Sequence, residues 1–133
     1  MMLVIKMKAN ELLTIYRNYA VIGASQNKAK YGYKIYNQLK ANNYQVFGVS
    51  PIYQEIDGDK LYPNLESIPS PIDVVVFVVS PKHVAYYIDE MRNIGIGYAW
   101  MQPGTYDDDT LDYIESNGIK IIKDCILLQL KND

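Results

Sequence analysis

One cysteine, one histidine and one tryptophan stand in this chain, and phenylalanine occurs only twice. A lone Cys125 excludes an internal disulfide and fits a reducing, cytoplasmic setting. A lone His83 leaves no second imidazole, and no suitably spaced acids join it, so a dedicated metal site is not expected. The charges are close to balanced, 13 basic against 15 acidic, with no basic run. A nucleic-acid backbone asks for a clustered Lys/Arg face, so nucleic acid is not an expected partner. Long apolar runs are missing too. Met1 to Ile5 is cut off by Lys6 and Lys8, too short for a signal peptide or a membrane span. No linker and no low-complexity segment interrupts the chain.

What is present is an apolar half, 49% of 133 residues, enough for one core that needs no disulfide or metal. We expect one domain over residues 1–133, with residues 1–8 as an N-terminal extension. Thirteen tyrosines suit strands and core edges, and are read as packing rather than as a recognition surface. Strand-like and helix-like segments alternate. The spacing predicts helices over Asn10–Asn18, Gly32–Asn42, Pro81–Asn93 and Asp107–Asn117, with the acidic run Asp107–Asp109 complementing a helix start. It predicts strands over Tyr19–Ala24, Gln45–Val49, Val74–Val79, Tyr98–Met101 and Ile119–Ile122. Val74–Val79 lacks alternation, as a strand buried on both faces should. Asp57-Gly58 marks a small hairpin inside the irregular stretch Ser50–Pro71. The order implies an α/β, Rossmann-like, doubly wound and mainly parallel five-stranded sheet with helices on both faces.

Three strand exits echo one another: Val49-Ser50-Pro51, Val79-Ser80-Pro81 and Met101-Gln102-Pro103-Gly104. In a parallel sheet all three lie at the carboxyl edge, where open α/β folds bind ligands. Proline tolerates the first helical position, and Ser80 is placed to cap the helix that follows. Each exit has an ordinary explanation as helix initiation. Together with the glycine loop, they suggest a rim of small residues, prolines and free amides around a cleft.

The loop itself reads Gly23-Ala24-Ser25, then Lys30-Tyr31-Gly32. Gly23 turns the backbone without a Cβ, Ser25 offers a hydroxyl, and Gly32 opens a helix whose amides suit a phosphate. Lys28 and Lys30 add positive charge. The spacing differs from the G-x-G-x-x-G of dinucleotide binders, and no acid ends the second strand; Glu55 and Asp57 lie beyond it. NAD therefore fits poorly. Lysines beside a neutral strand end suit an adenosine ligand with extra phosphate, either coenzyme A (CoA) or NADP.

Gly23-Ala24-Ser25, Lys30-Tyr31-Gly32-Tyr33, Ser50-Pro51, Gly58, Tyr62-Pro63, Ile68-Pro69, Ile72-Asp73-Val74-Val75, Pro81 and Trp100-Met101-Gln102-Pro103-Gly104 occur in one order along the chain. In that order they resemble the small stand-alone CoA-binding proteins. Those are similar to the N-terminal CoA-binding domain of the succinyl-CoA synthetase alpha subunit. The resemblance covers roughly Ala9 to Leu130. It implies CoA or an acyl-CoA along the carboxyl edge, the diphosphate at Gly23–Ser25, and the adenine between the Ser50-Pro51 and Ser80-Pro81 exits. Ser50-Pro51 stands where the family commonly has Asn-Pro, and Gln26–Ala29 lacks a proline often found there.

No catalytic set accompanies the loop. His83 lacks an anion-stabilising glycine loop, and the phosphorylated histidine of the synthetase belongs to a domain absent from this resemblance. Cys125 has no base beside it in sequence; a mixed disulfide with the CoA thiol is conceivable. The expectation is a non-enzymatic CoA module. An NADP-binding oxidoreductase subunit and a vestigial cleft serving assembly are the alternatives. A homo-oligomer and an acyl-CoA enzyme remain open as partners.

Overall fold

The computed structural model describes residues 7–130. The expectations for Met1–Ile5 therefore fall outside the described residues. The elements run α1 (Ala9–Ile15), β1 (Asn18–Ile22), α2 (Tyr31–Ala41), β2 (Gln45–Val49), β3 (Glu55–Ile56), β4 (Asp59–Tyr62), β5 (Val74–Phe77), α3 (Val84–Ile94), β6 (Tyr98–Met101), α4 (Asp108–Ser116), β7 (Lys120–Lys123) and α5 (Ile126–Gln129). They form one seven-stranded sheet in the order β3-β4-β2-β1-β5-β6-β7. Every pairing is parallel except β3 with β4.

The expected α/β, doubly wound sheet is present, but with seven strands instead of five. The difference is the Asp57-Gly58 hairpin: its second arm, β4, joins β2 in parallel through Gly48–Leu61 and Val49–Tyr62. Asp57 and Gly58 both take positive φ, as a tight two-residue turn requires.

Each strand feeds two cores. On one face Ala20, Ile22, Val75, Phe77, Ala99 and Met101 pack against Ile88 and Met91 of α3 and Ile114 of α4. On the other, Tyr19, Val21, Val74, Val76 and Trp100 meet Leu12 of α1, Ile35 and Leu39 of α2, and Ile126 of α5. All four side chains of β5 are fully buried. At about 1.5–3 kcal/mol for each large apolar side chain, this short strand is a major share of the core. A smaller cluster of Ala24, Tyr36, Ile56 and Leu61 fastens the hairpin beneath α2.

Several boundaries differ from the sequence expectation, each with a local cause. The leading helix stops at Ile15, because Asn18 already pairs as strand: its amide and side chain both donate to Asp73 Oδ2. The helix expected from Pro81 opens as a 3-10 turn, Pro81–His83, and becomes α-helical at Val84. Ser80 occupies the cap position there but its side chain makes no capping bond. Asp107 does cap α4, accepting from the Thr110 amide at 2.8 Å. Gly95 ends α3 in the left-handed region, at φ +84°.

Candidate functional site

β1 lies between β2 and β5, so its exit loop sits at the point where the chain reverses its direction across the sheet. The crevice at such a switch point is the usual ligand position of open α/β sheets. The exits of β2 and β5 flank the loop, each one strand spacing of about 4.8 Å away. The geometry brings together Gly23, Ala24, Ser25, Val49, Ser50, Pro51, Val79, Ser80 and Pro81 at this edge, with Lys30, Tyr31 and Gly32 opening α2 above it.

Gly23 and Gly32 are what let the loop close so tightly. Gly23 holds φ +96°, and a Cβ there would lie 2.4 Å from Val78 O and 3.0 Å from Val79 Cγ1. A Cβ on Gly32 would fall 1.9 Å from Gly23 O. The start of α2 is thus pressed against the end of β1, backbone to backbone. Neither contact tolerates a methyl group.

The amide donors are distributed differently from the expectation. Gly23 N and Ala24 N are not free: both donate to Val49 O, at 3.1 and 3.3 Å. They extend the β1–β2 pairing around the turn. The amides of Tyr31, Gly32 and Tyr33 open α2, and the Lys30 side chain does not cap them. Such helix-start amides point outward with no intrahelical acceptor. Ser25 Oγ accepts from Asn27 N at 3.0 Å, which leaves its hydroxyl proton to donate. Lys28 and Lys30 are exposed, and neither forms an ion pair among the described residues. Tyr31, 62% exposed, stands beside them with Lys34 Nζ 5.7 Å from its ring centre.

The flanking exits are not equivalent. Ser50 is buried; its Oγ accepts from Ile52 N and Tyr53 N, and its own amide donates to Tyr62 O. This pins the turn and leaves Pro51 and Ile52 exposed. Ser80 is exposed and Pro81 half-buried, while Val79 packs on the core. At the β6 exit, Pro103 and Gly104 are exposed but Gln102 points inward. Its Oε1 accepts from Trp100 Nε1 (3.1 Å) and Ile126 N (2.8 Å), and its Nε2 donates to Cys125 Sγ (3.4 Å). Gln102 therefore joins β6 to α5 instead of lining the edge.

Of the first two acids after β2, Glu55 and Asp57, only the Asp57 carboxylate has a hydrogen-bond partner among the described residues. Asp57 accepts from Tyr33 Oη at 2.7 Å, and Glu55 lends its carbonyl to Gln26 Nε2 at 2.8 Å. β2 itself exits through Val49-Ser50-Pro51 with no carboxylate where an NAD ribose would rest, and the nearest acids, Glu55 and Asp57, lie beyond it in the hairpin.

A family model described as CoA binding domain matches residues 17–131. The chain belongs to that family. It is 34% identical over 80 residues to an ADP-forming acetate–CoA ligase of Methanocaldococcus jannaschii, covering 60% of this chain. The chain spans only 11% of that ligase's length. Bacillus subtilis YneT is similar from end to end, 23% identical with 91% of this chain and 90% of YneT covered. A conserved hypothetical protein of Pyrococcus furiosus has the same architecture, with a TM-score of 0.80 and 35% identity. That match covers 86% of this chain and 99% of the other.

In this CoA-binding domain, sequence reasoning missed the residues that join the hairpin to α2. Tyr36 Oη donates to Asp59 at 2.8 Å, and Lys40 Nζ bonds the same carboxylate. The Lys40 ammonium, with the Tyr36 hydroxyl, holds the Asp59 carboxyl below its ordinary value. Burial, with the Asp59 contact next, pushes the Tyr36 hydroxyl far up. A concavity of about 330 Å³ opens at the opposite, amino edge among Leu65, Ile68, Ile72, Ile94 and Ile96. Glu66 and Ser70 add polar groups to its lining. Among the described residues no helix is long and apolar enough to cross a membrane.

Proposed function

We propose that this protein binds coenzyme A or an acyl-CoA at the carboxyl edge of its sheet and does not transform it. The observation that carries the reading is the pairing of Gly23 with Gly32, which presses the uncapped start of α2 against the turn that leads into Ser25. A helix start combines unpaired donors with partial positive charge, and both favour a phosphate. The donor set fits a diphosphate: Ser25 and the amides of Tyr31 to Tyr33 would hold its oxygens, and Lys30 would offset its charge. The similarity to the ligase supports CoA over NADP.

The non-enzymatic reading rests on what surrounds the reactive side chains. His83 is exposed on the 3-10 turn, and its side chain bonds no described residue. Cys125 is half-buried, its sulfur facing the Gln102 amide, with no base in contact. The role is then that of a carrier, a sensor or a partner of an acyl-CoA enzyme.

A thermal-shift screen with CoA, acetyl-CoA, NAD and NADP tests the proposal. A ligand at about a hundred times its dissociation constant stabilises the fold by about 2.7 kcal/mol, a readily visible shift. CoA should produce it and NAD should not. Equal shifts with both, or none with either, would sink the reading. Incubation with acyl-CoA, succinate and nucleotide should leave all three intact and His83 unphosphorylated by mass spectrometry.

A further inference from the structure

From Ser25 to Lys30 the loop makes almost only local bonds. Asn27 N donates to Ser25 Oγ, Ala29 N to Asn27 Oδ1, and Lys30 N to Asn27 O. These shape successive turns but do not fix where the loop sits on the protein. One side chain does: Gln26 Nε2 donates to Glu55 O at 2.8 Å, across 29 residues of chain. Among the described residues it is the only hydrogen bond from Ser25–Lys30 to a distant segment other than α2. Its acceptor is well supported. Glu55 pairs with Lys60 across the hairpin, β4 pairs with β2, and Tyr33 and Tyr36 tie the same hairpin to α2.

We propose that Gln26 is a positioning residue, holding the phosphate loop against the β3–β4 hairpin so that Ser25 and Lys30 face the ligand before it arrives. The proposal rests on the CoA-binding reading above. An exposed glutamine adds little to the fold as a whole, but a loop already ordered loses less freedom on binding. The bond acts through the loop, not on the ligand.

Gln26→Met keeps the side chain's length and removes the donor. Calorimetric titration should show CoA binding weakened about three- to tenfold, the effect of one neutral hydrogen bond. The melting temperature of the free protein should stay unchanged, as a role in global stability alone would not allow. Amide exchange followed by NMR should be faster at Asn27 and Ala29 in the free variant and return to the parental rate when CoA saturates it. Parental affinity would overturn the proposal. Weakened binding with unchanged exchange would also overturn it, because Gln26 would then touch the ligand directly. If the parent itself does not bind CoA, the functional reading fails. The exchange rates still decide the tether: faster in the variant sustains it, unchanged removes it.

Discussion

The exits of β1 and β6 each carry a glycine at positive φ ahead of a helix, yet the molecule builds them in opposite ways. At the β1 exit the glycines are crowded by backbone, and the polar groups around them face outward. At the β6 exit Gly104 takes φ +87° in open space, and the polar residue, Gln102, is turned into the core. One exit leaves the first amides of α2 without a capping side chain. The other uses its amide side chain to fasten α5 beneath the sheet. A glycine next to a strand end is thus demanded by close backbone packing at one exit and only by its positive φ at the other.

The sharpest way to break this contrast is to add a methyl group at each exit. Gly32→Ala places Cβ at 1.9 Å from Gly23 O, and neither backbone can yield without separating β1 from α2. We expect a loss of about 3 kcal/mol or more in denaturant unfolding, at the upper end of overpacking effects. Gly104→Ala meets no atom within 4 Å and should cost only its left-handed strain, about 1–2 kcal/mol. Equal losses would erase the distinction.

Charge should separate the exits next. CoA is a polyanion, and a charge-assisted hydrogen bond contributes about 1.5–3 kcal/mol, so Lys30→Ala should weaken CoA ten- to a hundredfold by calorimetry. Lys28→Ala should cost less, since Lys28 lies nearer the loop tip, and added salt should reduce the parental affinity. Gln102→Ala should show the reverse pattern. It strips the buried Ile126 amide of its acceptor and removes one of two acceptors from Trp100 Nε1, the other being Asp124 O. Stability should fall by about 1–3 kcal/mol, while CoA affinity changes less than about twofold.

The smallest effect concerns the hairpin beside the loop. Lys40, then Tyr36, lower the Asp59 carboxyl from its ordinary 3.8. A group depressed in the folded state stabilises it above the unfolded value, and that contribution disappears as pH falls through the folded one. Asp59→Asn should therefore lower Tm by about 2–4 °C at neutral pH, the scale of one exposed ion pair. The gap between variant and parent should close below pH 3.8.

Much of this was legible in the sequence. The unbroken apolar run at Val74 announced a central strand, and Gly23 and Gly32 marked the loop. Asp57-Gly58 announced the hairpin but not its docking, because a parallel pairing between β2 and β4 leaves no local signature. The direction of Gln102 was legible and overlooked: strand alternation puts it on the same face as Trp100, two residues earlier. What could not be read was which amides stay open. Gly23 and Ala24 bond Val49 O only because β2 runs alongside, a fact of the assembled sheet. The tie from Gln26 to Glu55 has the same origin.

The account stands or falls on where CoA touches the protein, and titrating CoA into isotope-labelled protein while following its amide resonances reads this directly. The largest shifts should fall on Ser25 and on Tyr31 to Tyr33, with small ones at Gly104 and Thr105. Shifts concentrated at the β6 exit, or around Leu65 and Ile96 at the amino edge, would contradict it.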